Sequence, residues 1–246
     1  MQRDEANVLI GDIACLFAAM PLEDRLAWLD DGGYDIVFTT SLGIEDQVVT
    51  DALAAALGSA RIVTLDTGRL FDETVALIDE TEERYGISIE RYHPGAEEVE
   101  RYAAAYGLDG FYESVEARHA CCGIRKVEPL GRALDGADIW VTGLRRGQSA
   151  ARGSVPFAEW DAERGLLKIN PLADMSLEQI RQRVRVRDIP VNPLHMRGYP
   201  SIGCAPCTRA IKPGEDERAG RWWWERDDSR ECGLHVAGAA SSVAAA

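Results

Sequence analysis

Two cysteines stand side by side, Cys121 and Cys122 in the stretch HACCGIRK, and a second pair, Cys204 and Cys207 in CAPC, begins 82 positions after Cys122. Adjacent cysteines rarely bond to each other, because a disulfide between neighbours strains the peptide that joins them. Four thiolates make a complete all-thiolate metal site, for zinc or for an iron–sulfur group. Zinc sites of this kind usually use two spaced pairs, so a vicinal pair fits zinc less well. Spacing alone leaves zinc, iron–sulfur and four incidental thiols open. Cys232, in ECGLH, is spare by that count, and His235 follows three residues later. A thiolate is the reactive form of cysteine, and a nearby cationic site lowers its pKa, so Cys232 reads as a nucleophile or else as an ordinary tail cysteine. Cys15, in the apolar run IACLF, reads as a core residue.

The elements that must position these residues follow an alternating pattern. DIVFTT (35–40), ARIVTL (60–65), ISIERY (87–92), DIWVTGL (138–144) and LLKINPL (166–172) read as strands. Helical patterns follow them in QVVTDALAAAL, RLFDETVALIDETEERYG, EEVERYAAAYG and SLEQIRQRVRVRDIP. This alternation predicts an α/β fold, a Rossmann-like parallel sheet with helices on both faces. In such sheets ligands bind beyond the carboxyl ends of the strands, where SLGIED, DTG and TGLRRGQS fall. From Asn192 the periodicity stops, and a segment rich in Gly, Pro, Cys and Arg runs to His235. A long irregular stretch in a compact domain is functional or disordered, and the three tryptophans at 222–224 argue against disorder and for packing. The expected organisation is one domain over residues 1–235, with an irregular cysteine-rich part at 192–235 and a loose tail at 236–246.

The 246 residues carry 46% hydrophobic and 28% charged side chains and a formal net charge of −14. That charge argues against general binding to nucleic acid or an anionic membrane. A site for a small anion would have to be assembled from particular Arg and Lys residues. No apolar run is long enough for a membrane span, and the acidic N-terminus lacks the basic lead of a secretory signal. Six cysteines are too few for a disulfide scaffold, so a reducing cytoplasm is expected.

Taken together, CC, CAPC and ECGLH behind SLGIED and TGLRRGQS resemble the assimilatory sulfonucleotide reductases, and within them the cluster-bearing adenylyl-sulfate (APS) reductases. The resemblance spans about Ile36 to His235. The ordered set of cysteine motifs is its specific part, since phosphoadenylyl-sulfate (PAPS) reductases commonly keep ECGLH and lack the other four cysteines. It implies a [4Fe–4S] cluster on Cys121, Cys122, Cys204 and Cys207, and Cys232 as the nucleophile. The implied reaction turns APS and reduced thioredoxin into sulfite, AMP and oxidised thioredoxin through a Cys232 S-sulfonate. Plant-type relatives add a glutaredoxin-like domain that this chain is too short to include, so a separate thioredoxin is the expected donor. Family members are often dimers or tetramers, which leaves a homo-oligomer open.

A phosphosulfate substrate asks for a cationic, partly desolvated site, because an anionic nucleophile is otherwise repelled by an anionic sulfate. Lys126, four residues after Cys122, is placed by the family pattern between cluster and sulfate. Arg145, Arg146 and Arg152 follow a strand end, and Arg218 and Arg221 lie between CAPC and ECGLH, where the family pattern has them grip the phosphosulfate. For each, the competing reading is a solvated surface charge. Ser41 and Gly43 would form a turn whose N–H groups meet phosphate at a helix N-terminus, and Asp66, Thr67 and Gly143 would line the nucleotide pocket. Gly147 stands where relatives often carry an acid, and Leu42 where an aromatic is common, which puts exclusion of a 3′-phosphate in question. The rivals are a PAPS or dual-specificity reductase, a zinc-stabilised nucleotide-binding module without redox turnover, and an ATP-pyrophosphatase. The last usually has an SGGxDS loop and gives ECGLH no task.

Overall fold

The computed structural model describes residues 1–56, 59–149 and 152–225. A six-stranded sheet runs through it in the order β3-β2-β1-β4-β6-β5, with β1 Ile36–Thr40, β2 Arg61–Leu65, β3 Ile89–Tyr92, β4 Ile139–Val141, β5 Ala158–Asp161 and β6 Leu166–Ile169. All neighbouring pairs are parallel except β5 with β6. The five strands expected from sequence are present, each trimmed at one or both ends. The sixth, β5, was not expected. It is a four-residue edge strand, AEWD, too short and too polar to show a period.

Alternation along the strands sends side chains to two cores. Ile36 and Phe38 of β1 join Leu167 and Ile169 in the larger one, with helices α1 (Arg3–Leu16), α2 (Leu22–Asp30), α3 (Ile44–Ala56), α4 (Asp72–Tyr85) and α8 (Leu177–Arg187). Val37, Val63 and Trp140 point the other way, against Leu130, Ala133 and Leu134 of α7 (Glu128–Ala133) and its end. Between them in sequence, α5 (Ala96–Tyr106) and α6 (Val115–Cys122) bring the first cysteine pair to the carboxyl end of the sheet. Among the described residues no helix is long and apolar enough to cross a membrane.

Cys15 corrects its sequence reading: it is exposed. On α1 the inward residues are Ala6 and Ile13, with Phe17 just beyond. Cys15 is two positions from Ile13, about 200° around the helix, and so faces solvent.

The chain leaves β1 toward β2 and β3 on one side and returns to β4 on the other. The loops after β1 and β4 therefore diverge, which opens a crevice at their carboxyl ends. Between α6 and α7 the helix widens into a π turn over Gly123–Val127. That inserted turn re-aims the side chains after the cysteine pair, among them Arg125 and Lys126.

Candidate functional site

The crevice holds a cavity of about 210 Å³. Its floor is the end of β1, where the loop folds around one carboxylate. The Ser41 N–H and hydroxyl both donate to Asp46 Oδ2, at 2.7 and 2.6 Å. Leu42 takes a left-handed backbone, φ 58°, with its side chain buried and its N–H donating to Thr40 Oγ1 at 3.0 Å. A non-glycine residue there carries about 1–2 kcal/mol of backbone cost, which the burial of the leucine offsets. Gly143, at the end of β4, closes on the same carboxylate. A Cβ on Gly143 would lie 2.0 Å from Asp46 Oδ1, so only glycine lets the two loops meet.

Burial pushes the Asp46 carboxyl up to about 6, against the two Ser41 donors that favour the anion. Its pKa is raised above the unfolded value, so the folded state favours the neutral acid. The associated stability is present below about pH 4 and is lost as pH rises through 6, on the order of 2–3 kcal/mol in all. Asp46→Asn keeps an acceptor for Ser41 and has no charge to bury. Urea unfolding of both proteins at pH 4.5 and 7.5 should show the variant gaining roughly 2 kcal/mol on wild type at the higher pH; an unchanged difference refutes the assignment.

Apolar side chains Leu65, Leu130 and Trp140 line one side of the cavity, and Lys126, Arg152, Arg218 and Arg221 bring cationic groups to its wall. Ser41, Gly43, Thr67 and Gly143 also line it. Three predicted residues are placed elsewhere. Asp66 accepts from Gly68 N–H at 2.9 Å and turns toward His93, with 3.6 Å between Oδ2 and Nδ1. Arg145 is buried, its Nε 2.8 Å from Glu45 and its Nη2 3.2 Å from Glu217, so it ties the β4 loop to α3 and to the segment before Arg218. Arg146 is exposed, donating to the Val155 carbonyl at 2.8 Å over the Phe157 ring. These three pack around the site and not into it: a backbone N–H and His93 hold Asp66, two glutamates hold Arg145, and a carbonyl holds Arg146.

Beside the cavity lies a second void, lined by all four paired cysteines with Arg69, Arg118, Arg125 and Lys126. The CAPC pair sits on a single 3₁₀ turn, pinned by Ala205 N–H to the Arg69 carbonyl at 2.8 Å. The thiols are not equivalent. Burial alone raises the Cys204 thiol, yet Lys126, a Thr67 hydroxyl 3.3 Å away, Arg221 and Arg125 together bring it below the usual thiol range. Burial dominates at Cys207, pushed up to about 12, and at Cys121, where Arg125 offsets part of it. Lys126 is the cation common to cavity and void.

Around the cysteines are buried donors that lack acceptors. Tyr102 hydroxyl, Arg125 Nε, Arg221 Nε and Trp222 Nε1 are buried and without a hydrogen-bond partner among the described residues. Tyr102 and Trp222 pack directly in the cysteine cluster, and Trp222 lies between the guanidinium groups of Arg118 and Arg221, 4.8 and 4.5 Å from its ring centre. Orphaned buried donors are rare and call for an acceptor. Among the described residues no three His, Cys, Asp or Glu side chains are grouped as they would be around one metal ion. The donor set suits a group larger than one ion that carries acceptors of its own. Of the tryptophan run, Trp222 packs as expected, while Trp223 is partly exposed. Cys232 and His235 lie outside the described residues.

Sequence reading missed Asp46, Arg125 and His195. The first two stand inside quoted motifs, where neighbours drew the attention; His195 has no local signal.

A model of the phosphoadenosine phosphosulfate reductase domain matches residues 35–210. Adenosine 5′-phosphosulfate reductase of Agrobacterium fabrum is 66% identical over 234 residues, covering 95% of this chain and 90% of that protein. The chain belongs to the APS/PAPS reductase family. The namesake from Allochromatium vinosum is 58% identical over 200 residues, covering 81% of this chain and 78% of its own. A crystal structure of PAPS reductase from Candida auris superposes with a TM-score of 0.70 at 24% identity, over 82% of this chain and 96% of that one. That likeness concerns the fold alone.

Proposed function

We propose that the chain reduces APS to sulfite and AMP in sulfate assimilation, taking two electrons from thioredoxin. The observation that carries the reading is Lys126, one cation lining both the cavity and the four-thiol void. The apolar side of the cavity, Leu65, Leu130 and Trp140, suits a purine. Lys126, Arg218 and Arg221 suit a phosphosulfate. In this reading the Cys232 thiolate attacks the sulfate sulfur, the bond from that sulfur to the phosphate oxygen breaks, and AMP leaves with the electron pair. A thioredoxin thiolate then attacks Cys232 sulfur and releases sulfite, and its second thiol frees Cys232 as the thioredoxin disulfide forms. Residues 1–235 act as one domain, in a reducing cytoplasm that keeps these thiols free.

Cys121, Cys122, Cys204 and Cys207 would hold a [4Fe–4S] cluster, and the orphaned donors around them suit a group that brings acceptors of its own. When bound, such a cluster supplies a fixed charge beside the sulfate end, while the thiols supply the electrons. Cys204→Ala is expected to lose most of its iron and its visible absorbance, with the sheet still folded by circular dichroism. A full zinc complement and no iron in anaerobically purified wild type would refute the cluster.

The direct test is anaerobic sulfite release with thioredoxin and either APS or PAPS. Sulfite from APS and little from PAPS supports the reading. Equal rates would make the enzyme dual-specific, and none from iron-replete protein would overturn the reductase assignment.

A further inference from the structure

His195, which follows α8 in the chain, lines the cavity. It sits on a tightly held 3₁₀ turn, Pro193–Arg197. The Asn192 side chain caps the start of that turn, accepting from Leu194 N–H at 3.0 Å, and ties it to α4 by donating to Thr74 Oγ1 at 2.9 Å. The ring is oriented by its Nδ1, 2.8 Å from the Tyr199 carbonyl. A carbonyl only accepts, so Nδ1 carries the hydrogen. The other nitrogen, Nε2, is buried and has no partner among the described residues. Burial, the largest influence, and Arg181 favour the neutral ring, while the Tyr199 carbonyl and Glu45 oppose them; the net shift is downward. A neutral ring with its hydrogen on Nδ1 presents Nε2 as a bare acceptor.

We propose that His195 Nε2 accepts a hydrogen bond from a ribose hydroxyl of the bound nucleotide, and so is a substrate-binding residue of this site. The proposal rests on the nucleotide reading above. The chemistry of the substrate narrows the choice. A phosphosulfate offers only acceptors, which a bare nitrogen repels. The adenine amino group is a donor, but the apolar slot for the base is built on the α7 side of the sheet, whereas His195 follows α8 on the other. The hydroxyls of the sugar, between base and phosphosulfate, are the donors left for Nε2. A 3′-phosphate in the same place would set an anion against the bare nitrogen, which makes His195 a determinant of selection for an unphosphorylated ribose.

The test is a cycle of ligand and side chain, read as dissociation constants by calorimetry on the iron-replete protein. The ligands are AMP, 2′-deoxy-AMP, 3′-deoxy-AMP and purine riboside monophosphate, which lacks the amino group. The proteins are wild type and His195→Phe, with unfolding temperatures measured alongside. One neutral hydrogen bond predicts that His195→Phe weakens AMP roughly five- to tenfold, and that one of the two deoxy nucleotides binds both proteins alike. Equal weakening of all four ligands, as a merely structural role or a misfolded variant would give, overturns the proposal. So does a loss that vanishes only with the purine analogue, since the contact would then be to the base. Wild type that binds none of the four overturns the nucleotide reading itself, a result distinct from tight binding with no difference between the two proteins.

Discussion

Cys232→Ser protein is expected to bind AMP within about twofold of wild type and to release no measurable sulfite from APS. The proposed chemistry requires a sulfur at this position twice. In the first step a thiolate attacks the sulfate sulfur, and a serine hydroxyl, scarcely ionised at neutral pH, is a far weaker nucleophile. In the second, thioredoxin must attack that same atom and displace sulfite, which an oxygen ester would not allow. Rate losses on removing a nucleophile reach roughly 10⁴-fold or more, so the signal should fall below background. The described chain ends at Glu225, ion-paired to buried Arg118, and Trp222 already lines the cavity. Cys232 lies seven positions after Glu225, a span of at most about 25 Å. The measurement is anaerobic single-turnover release of sulfite, with mass spectrometry for an adduct of sulfonate mass on wild type lacking thioredoxin. Substantial sulfite from the serine variant would move the nucleophile elsewhere.

Lys126→Gln is expected to lower kcat/KM for APS by roughly 10²–10³-fold, the scale seen when one donor to developing charge is removed. The thiolate and the sulfate repel each other, and Lys126 stands where cavity and thiol void adjoin. It also acts to lower the Cys204 and Cys207 thiols, so its loss should reach the cysteine site. The variant should therefore keep its fold and its AMP affinity within about threefold, with an altered visible spectrum. Lys126→Arg keeps the charge but not its compactness and should recover only part of the rate. A Lys126→Gln enzyme with wild-type kcat/KM would show that the lysine merely borders the site.

Much of this protein is legible before folding is considered. The five strands read from periodicity lie in the sheet, because strands buried on both faces are short apolar runs bounded by polar loops. Type and spacing leave a shared site for the two cysteine pairs open beside four incidental thiols, and the structure brings all four to one void. SLGIED and TGLRRGQS were placed at strand ends by the same alternation, and their Ser41 and Gly143 do meet at the crevice.

What local sequence cannot encode is which way a side chain turns when a partner far along the chain competes for it. Arg145 and Arg152 look alike in TGLRRGQSAAR, yet Glu45 and Glu217, 100 positions before and 72 after, take Arg145 out of the cavity. Asp46 has its carboxyl pushed up to about 6 by burial, where Gly143 from another strand closes on it. The π turn after Cys122 aims Arg125 and Lys126, and nothing in GIRKV marks it. Cys15 sits in an apolar run, but the helix turns it to solvent. His195 emerges as a candidate ligand residue because it lines the cavity, a carbonyl four residues later claims Nδ1, and Nε2 is left without a partner among the described residues. The sequence by itself determined the chemistry: the thiols, the cations and the alternating elements that carry them. Tertiary structure decided which of those groups face the substrate, because burial and long-range pairing set orientation and charge, and neither is a property of neighbours in the chain.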